Sequence, residues 1–542
     1  MTAGPQGTGA TAGRAERSLR GMPRPWVAGA DRLRPWATLR AVILLLLLWE
    51  LAARLLAGRH LVAGPVEIAL WLPGQAGVVG RALAVTLTAA GQGFLWGNLA
   101  GVALAALVAL RPGAERVVSL LALIVFCLPL VATGPILRVL YGPGTGPQVT
   151  LAALAVFYTT YLPLRVGLRA APRDWFDLVA SYGRGRGAAL LFVRAPASLP
   201  YLAAGLQIAA PAALLGAMVG EFTGAERGLG VLILRAIGRL DTVAVWGLAA
   251  VSALVAMAGY AAFGGLMRWL APGGPPVLTA RPPGAPRSAV RRWGEGAVAA
   301  GLVLLLWWGA MEAAGLDRFF ARRPLDVAAV LFQAEPRAAL LAALGQTLAT
   351  AVPGYLAGLA LGGLAAVLLV LRPGFAPAAL PVAVALRAVP VIATAPVLVL
   401  ALGRGAAGSI AIVALMTFFP TLVAMLHGLS RAPRAVLDLF DSYAAPPGLR
   451  LRLAQLPAAL PAGFAAARMA VPAAVLAATT AEWLATGRGI GALMAVAAST
   501  SAYGLLWAGV VVLTLAALAG HALVAAAERR VLSRYAREQL DP

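Results

Sequence analysis

The sequence predicts an all-α polytopic membrane protein, made of two tandem six-helix transmembrane domains in parallel repeat. Three observations predict this fold class. The chain has 542 residues, of which 61% are hydrophobic and only 12% charged, roughly half the charged share of a soluble domain. Apolar stretches recur along the chain, each near the roughly 20 residues that a membrane helix needs. The second half of the chain repeats the first.

The composition excludes several classes of protein. A soluble enzyme of this size would need far more polar surface, and a disordered chain would have less apolar matter to bury. All 44 basic residues are arginine, so mechanisms that need a lysine, such as a Walker-A phosphate site or a Schiff base, are excluded. The single cysteine, Cys127, allows no intrachain disulfide, and the histidines are too scattered to form a recognisable metal motif. We therefore expect no metal site.

Twelve apolar stretches predict twelve membrane spans. The first set lies near 41–57, 82–110, 117–140, 149–168, 196–219 and 243–269, and the second near 297–315, 343–371, 376–401, 409–429, 457–480 and 503–527.

The distribution of arginine predicts the orientation, because basic residues are retained on the cytoplasmic side. The tail 1–40 carries seven arginines, and the loop 165–194, the linker 268–296 and the C-terminal tail are also rich in arginine. With twelve spans all four segments fall on one side. This pattern predicts a multi-pass membrane protein with both termini in the cytoplasm. The predicted domains are a disordered basic cytoplasmic tail (1–40), a first transmembrane domain (41–270), a Pro/Arg-rich cytoplasmic linker (271–295), a second transmembrane domain (296–530) and a cytoplasmic tail (531–542).

The two halves are related by an offset of 261 residues that holds without a gap from about residue 86 to 230. Thr86-Leu87 recurs as Thr347-Leu348, and Ser181-Tyr182 recurs as Ser442-Tyr443. An even number of spans per unit gives both copies the same orientation. Glycines spaced by four residues also recur in the second span of each unit, which predicts close helix packing there. These glycines are Gly93, Gly97, Gly101, Gly354, Gly358 and Gly362.

The loop between the fourth and fifth spans is longer than a plain connection needs. In both halves it has a short helical stretch, a turn of small residues, a second amphipathic stretch and a proline that enters the next span. This pattern resembles the EAA loop of ABC-importer permeases. The acidic position is Asp177 or Asp438, and the ending leads to Pro196 or Pro457. The loops depart from the family pattern in three ways. Neither loop has the pair of small residues. Ala444 stands where the family has the glycine that the first half provides as Gly183, and Ala195 stands where the family has a leucine.

The resemblance implies the type I ABC-importer fold and a coupling role for both loops, each docking in a groove of a cytoplasmic ATPase. It implies two ABC ATPase subunits and a periplasmic or lipid-anchored solute-binding protein as partners, besides the lipid bilayer. No nucleic acid and no cofactor on this chain are expected, since ATP would be held and hydrolysed by the partner. The residues that it places in the coupling loops are Asp177, Ser181, Tyr182, Gly183, Pro196, Asp438, Ser442, Tyr443, Ala444 and Pro457.

The end of the fifth span resembles nitrate, sulfonate and taurine permeases, in a fused, duplicated form. Glu221 followed by Gly228-Leu229-Gly230 carries the match in one half, and Glu482 followed by Gly489-Ile490-Gly491 in the other. The resemblance implies import of a small anion. A duplicated permease for iron or thiamine is the alternative, and an intramembrane enzyme or an ion channel fits the residues less well.

Polar residues inside predicted spans are candidates for the translocation path, because such groups are costly in lipid and often functional. Arginine in such a place suits an oxyanion. The competing interpretation is that these residues snorkel or pair with one another to fix helix packing. The candidates are Arg138, Gln207, Glu221, Arg387, Arg468 and Glu482.

Overall fold

The structure is a computed structural model that describes residues 35–59, 62–171, 173–270, 289–372, 398, 402–403 and 405–535. Helices make up the regular structure of this part of the chain, and nine of its helices have the length and composition to cross a membrane. Counting one bent pair of helices as a single span brings the number to ten. The predicted all-α membrane fold is confirmed.

The described residues of the first half form ten α-helices. They are α1 (Pro35–Leu55), α2 (Pro65–Leu110), α3 (Glu115–Phe126), α4 (Leu130–Tyr141), α5 (Gly146–Gly167), α6 (Arg173–Ser181), α7 (Arg186–Ala189), α8 (Ala195–Phe222), α9 (Leu229–Gly238) and α10 (Thr242–Leu270).

In its described residues the second half follows the same order, except that the counterpart of α2 is broken into two helices. Its helices are α11 (Ala289–Ala313), α12 (Pro324–Phe332), α13 (Ala334–Leu371), α14 (Ala406–Leu429), α15 (Arg434–Ser442), α16 (Pro447–Arg450), α17 (Leu456–Ala481), α18 (Ile490–Ser499) and α19 (Tyr503–Tyr535).

The helix boundaries preserve the 261-residue repeat. The pairs α6 and α15, α7 and α16, and α9 and α18 begin and end 261 residues apart. We term the end of the bundle that carries α6 and α15 the loop end, and the end that carries α9 and α18 the opposite end. The predicted span 376–401 lies almost wholly outside the described residues. α11 begins within the predicted linker, and α19 continues into the predicted C-terminal tail.

The predicted span 117–140 is not one straight helix. α3 and α4 meet at an angle of 88°. The helix ends at Phe126 and restarts at Leu130, with Pro129 as the residue before the new helix. Proline has no backbone N–H to donate and disfavours helical backbone at the residue before it. The break therefore follows from Pro129, although the apolar composition continues through it.

The helices of the second, fourth and fifth predicted spans form the core of each half. α2 packs on α5 and α5 on α8, as α13 packs on α14 and α14 on α17. A Cβ at Gly97 would lie 2.5 Å from the carbonyl oxygen of Ala153, and one at Gly358 2.5 Å from that of Ala414. The predicted close packing at the glycine ladders is confirmed, because only glycine lets the backbones approach so closely.

The broken span α3–α4 joins the two halves. Cys127, Ala132 and Ile136 belong to one buried apolar cluster with residues of α17, α18 and α19, among them Met494 and Trp507. Near the loop end an ion pair of 2.8 Å between Arg116 of α3 and Glu295 of α11 also crosses between the halves. The two repeats therefore share a core.

Candidate functional site

The two helical loops at the loop end have the same backbone design. Each has a nine-residue helix, a turn, a four-residue helix and a five-residue π-helical segment that leads into the fifth span. The π-helical segments are Leu190–Arg194 and Leu451–Gln455.

Pro196 and Pro457 explain the π-helical segments. Each proline is near the start of the fifth span, directly after its π-helical segment. A proline ring clashes with the carbonyl group four residues earlier and cannot donate a hydrogen bond to it. Widening the preceding turn to an i→i+5 pattern accommodates the ring without ending the helix. The predicted proline entry is therefore a local widening of one continuous helical path.

The turns after α6 and α15 are both Schellman motifs. Gly183 donates to the carbonyl of Ala180 at 2.9 Å, and Arg184 donates to that of Val179 at 3.2 Å. In the second half Ala444 and Ala445 donate to the matching carbonyls of Asp441 and Phe440, at 3.0 and 2.9 Å. These are the 5→2 and 6→1 bonds of that helix ending. The loss of the family's glycine at Ala444 therefore leaves the hydrogen bonding of the turn unchanged.

Each loop exposes an apolar stripe along its first helix. In the first half it consists of Trp175, Leu178 and Tyr182, which are 51%, 58% and 76% exposed. Their spacing of three and four residues places them on one helix face. The equivalents Val436, Leu439 and Tyr443 are also exposed. We term these two sets the docking stripes, because apolar residues exposed in a row indicate an interaction surface.

The predicted acidic residues lie beside the docking stripes in solvent. Asp177 and Asp438 are both exposed. Ser181 and Ser442 each donate from the hydroxyl to the carbonyl three residues earlier, at 2.8 Å. The structure thus gives the two serines a role inside the helix end and leaves the aspartates accessible to a partner.

The two loops differ in how they are braced. In the first half Arg194 donates to the carbonyl of Ala109 at 3.2 Å, and its guanidinium lies over the Phe176 ring. In the second half Asp441 and Arg450 form an ion pair of 2.9 Å between the two short helices of the loop. The first loop is therefore held against the end of α2, and the second is braced within itself.

At the opposite end Glu221 belongs to a buried clasp. Its Oε1 accepts from the Thr86 hydroxyl at 2.7 Å, and its Oε2 accepts from the backbone N–H of Gly230 at 2.7 Å. The Leu229 N–H donates to the Thr86 hydroxyl at 2.9 Å. The carboxylate therefore ties α8, the second span and the N-terminus of α9 together.

The second half contains the same clasp. The Thr347 hydroxyl and the Gly491 N–H donate to Oε2 of Glu482 at 3.0 and 2.9 Å. The residue before each short helix is glycine, with φ of 134° at Gly228 and 86° at Gly489. A Cβ at either position would run into the glutamate carboxylate. The repeated Thr-Leu, Glu and Gly-x-Gly motifs are thus parts of one structural unit.

The other intramembrane candidates lie apart from the clasps. Gln207 packs directly on Gly264 of α10, where an added Cβ would lie 2.5 Å from Nε2 of Gln207. Its counterpart Arg468 forms an ion pair with Glu528 of α19. Both side chains therefore contact the sixth span of their own half. Arg138 is at the opposite end, with Nη1 3.4 Å from the Gly144 carbonyl. Arg387 lies outside the described residues.

Sequence reasoning missed two features of these sites. The docking stripes could have been found from the helical spacing of Trp175, Leu178 and Tyr182 in a charged loop. The sequence marks Thr86 only as a repeated residue, because a contact between positions 135 residues apart has no local signal in a single sequence.

Known proteins resemble the chain along both halves. The family described as "Binding-protein-dependent transport system inner membrane component" matches residues 97–273 and again residues 358–533. A protein of Haemophilus influenzae named "Probable ABC transporter permease protein" is 33% identical over 211 residues, which are 39% of this chain and 86% of that protein.

Two further relatives have names that specify a cargo. The formylaminopyrimidine transport permease protein ThiX of Halalkalibacterium halodurans is 26% identical over 231 residues, 42% of this chain and 92% of that protein. The riboflavin transport system permease protein RibX of Chloroflexus aurantiacus is 34% identical over 143 residues, 26% of this chain and 53% of that protein. The family match covers more than half of the chain. The chain therefore belongs to the binding-protein-dependent transport system inner membrane components, the permease subunits of ABC importers, and carries the family domain twice.

Proposed function

We propose that one copy of this chain builds the whole translocation pathway of an ATP-driven importer and moves a small anion by alternating access. Two separate ABC ATPase subunits hold and hydrolyse the ATP, and a solute-binding protein delivers the cargo. The duplicated domain and the core shared by its halves support this arrangement. One polypeptide takes the place of the two permease subunits that would otherwise pair.

The observation that carries the proposal is the pair of docking stripes. Each combines exposed apolar side chains with a compact left-handed turn. A short amphipathic helix that lays its apolar face into a groove is a common mode of protein recognition. We infer that each docking stripe enters one ATPase subunit, and that the fifth span, which continues from the loop, carries its motion into the membrane.

The same reasoning supports an orientation. The ATPases are cytoplasmic, so the loop end faces the cytoplasm, in agreement with its excess of arginine. Both termini and the linker then lie in the cytoplasm of a bacterial cell. The opposite end, with α9 and α18, faces the solute-binding protein.

Two classes of transported molecule, small oxyanions and nitrogen heterocycles, are candidates for the cargo. A small oxyanion such as nitrate, a sulfonate or taurine is favoured by the arginines of the membrane domain, since guanidinium binds oxyanions in bidentate geometry. Two relatives are named for the transport of formylaminopyrimidine and of riboflavin, which makes a nitrogen heterocycle the second candidate. Uptake of radiolabelled nitrate, taurine, formylaminopyrimidine and riboflavin by proteoliposomes that contain the complete transporter would separate the two classes.

Charged substitutions in the docking stripes test the coupling role. We expect Leu178→Glu and Leu439→Glu each to weaken co-purification of the ATPase and to reduce ATP-dependent uptake at least tenfold, because a carboxylate would be buried in an apolar groove. Leu240→Glu is the matched control for ATPase association, since Leu240 is 74% exposed at the opposite end. Unchanged ATPase association in both loop variants would contradict the proposal.

A further inference from the structure

The opposite end of the first half contains a cavity of about 400 Å³ between α2 and α9. Three arginines line it: Arg81 from α2, Arg227 just before α9, and Arg235 from α9. Glu226 also lines it, and most of the remaining wall is aliphatic, including Val78 and Val231. We term this cavity the arginine pocket. Its volume is within the usual range of small-molecule sites.

The arginines of the pocket are not used by the protein itself. Among the described residues, the side chains of Arg81, Arg227, Arg235 and Glu226 have no hydrogen-bond or ion-pair partner. Three guanidiniums against one carboxylate leave the pocket with an excess of two positive charges. All four charged side chains are exposed to solvent, and three guanidiniums at one mouth create a local positive potential that attracts small anions.

The backbone N–H groups at the base of the pocket are not available to a bound anion. Gly228, which lines the pocket, directly precedes α9. The N–H groups of Leu229 and Gly230 are already taken by Thr86 and Glu221 in the clasp. An anion in the pocket would therefore be held by the guanidinium groups, whose planar forks match the oxygens of a carboxylate, sulfonate or phosphate.

The repeat provides an internal comparison. At the equivalent positions the second half has Ala342, Arg488 and Val496, and Gly487 takes the place of Glu226. The clasp below is nevertheless present in both halves. The three arginines are thus not required by the fold at this position, and only the first half concentrates them in one pocket.

We propose that the arginine pocket is a binding site for a small organic oxyanion, with an acidic group between Arg81, Arg227 and Arg235 and an apolar body against the valines. The biological role of this site rests on the proposed import function, with the pocket as a receiving site at the outer mouth of one half. Binding itself needs neither the ATPase nor uptake, so the two proposals can fail separately.

Calorimetric titration of the purified full chain in lipid nanodiscs tests the site, with benzenesulfonate as the probe and neutral benzyl alcohol as its control. We expect saturable binding of benzenesulfonate only. Arg235→Gln should weaken it about tenfold, the usual loss for one charge-assisted hydrogen bond. Glu226→Gln should strengthen it, because it removes the negative charge.

Arg488→Gln is the matched control, since Arg488 is the counterpart of Arg227 in the half without the pocket. It should leave the affinity unchanged, and thermal unfolding should show that all variants are folded. Equal binding of benzyl alcohol, or an equal loss in Arg488→Gln, would overturn the proposal. The proposal would also fail if benzenesulfonate did not bind and the arginine variants instead lost the solute-binding protein. The pocket would then be a protein-docking surface.

Discussion

Gly183 and Ala444 stand at equivalent positions of the two halves and share a left-handed backbone, with φ of 66° and 49°. Glycine adopts this conformation freely, whereas alanine brings its Cβ too close to the following carbonyl group. The second loop therefore holds a strained turn that the first loop makes without strain. An identical pattern of hydrogen bonds around both residues indicates that the shape of the turn is preserved at the expense of local stability.

Reciprocal substitutions at these turns should have opposite effects. Gly183→Ala should destabilise the first loop by about 1–2 kcal/mol, and Ala444→Gly should stabilise the second by a similar amount. Hydrogen exchange of the amides in each loop, measured on the purified chain, would report both changes. If both substitutions changed protection in the same direction, the backbone would not be the cause.

A bulky residue at the turn should reduce transport by disturbing the contact with the ATPase, with no loss of stability beyond that of an alanine. A Cβ at Gly183 meets no other atom of the chain within 4 Å. Gly183→Trp should therefore destabilise the chain no more than Gly183→Ala, yet abolish uptake and weaken ATPase association. Ala444→Trp should add less backbone strain than Gly183→Trp, because a residue with a Cβ already occupies the left-handed position there. Normal uptake by both tryptophan variants would contradict the coupling role of the turns.

Removing the carboxylate of a clasp should destabilise the protein. Glu221→Ala leaves the buried Gly230 N–H without an acceptor, which costs about 1–3 kcal/mol. Glu221→Gln retains the shape and one acceptor oxygen, so its loss should be smaller. Thermal unfolding in detergent measures both, and the pair Glu482→Ala and Glu482→Gln repeats the test in the second half. A role of Glu221 in the translocation path would instead show as lost uptake in a Glu221→Gln variant of unchanged stability.

The ion pair of Arg468 and Glu528 allows stability and transport to be separated. Arg468→Gln leaves the Glu528 carboxylate, which is only 13% exposed, without its ion-pair partner, and such an unsatisfied group costs about 1–3 kcal/mol. The double variant Arg468→Gln, Glu528→Gln should recover most of that stability. If Arg468 guides an anion, uptake by the folded double variant should still be reduced. Uptake that recovers together with stability would make the arginine purely structural.

Reporter tags test the orientation. Tags inserted at residue 145 and at residue 285 should be accessible from opposite sides of the membrane, with residue 285 in the cytoplasm. The physical reason is the concentration of arginine in the tails, in the loop 165–194 and in the linker. Labelling of both tags from one side would exclude the twelve-span arrangement.

The sequence predicted the features that recur with the period of a helix or with the 261-residue repeat. The offset that relates Ser181 to Ser442 located both loops, and the spacing of Gly93, Gly97 and Gly101 identified a helix interface. It could not predict the 88° bend at Pro129, because the apolar run does not change there and proline also occurs inside continuous helices such as α8. The twelve predicted spans leave out α9 and α18, whose ten residues each are too few to cross a membrane.

The candidate site was predicted in part. The turn and the proline of each loop are visible as motifs, but the clasp joins Thr86 to Glu221 across half of a domain, which only the folded structure brings together. The contacts of Gln207 and Arg468 with the sixth span likewise depend on helix rotation about its axis. The amino-acid pattern predicts how deep in the membrane such a residue lies, but not which neighbouring helix its side chain faces.

The broken span that joins the halves has a consequence for biogenesis. A ribosome delivers the first half to the membrane long before the second, and Trp507 is made 380 residues after Cys127 although both belong to one buried cluster. During that interval the face of α3 and α4 around Cys127, Ala132 and Ile136 has only lipid or insertion factors to cover it. Gene fusion ensures that the surface which arrives last is always tethered nearby, at high effective concentration, so that assembly is first-order and independent of how many copies the cell makes.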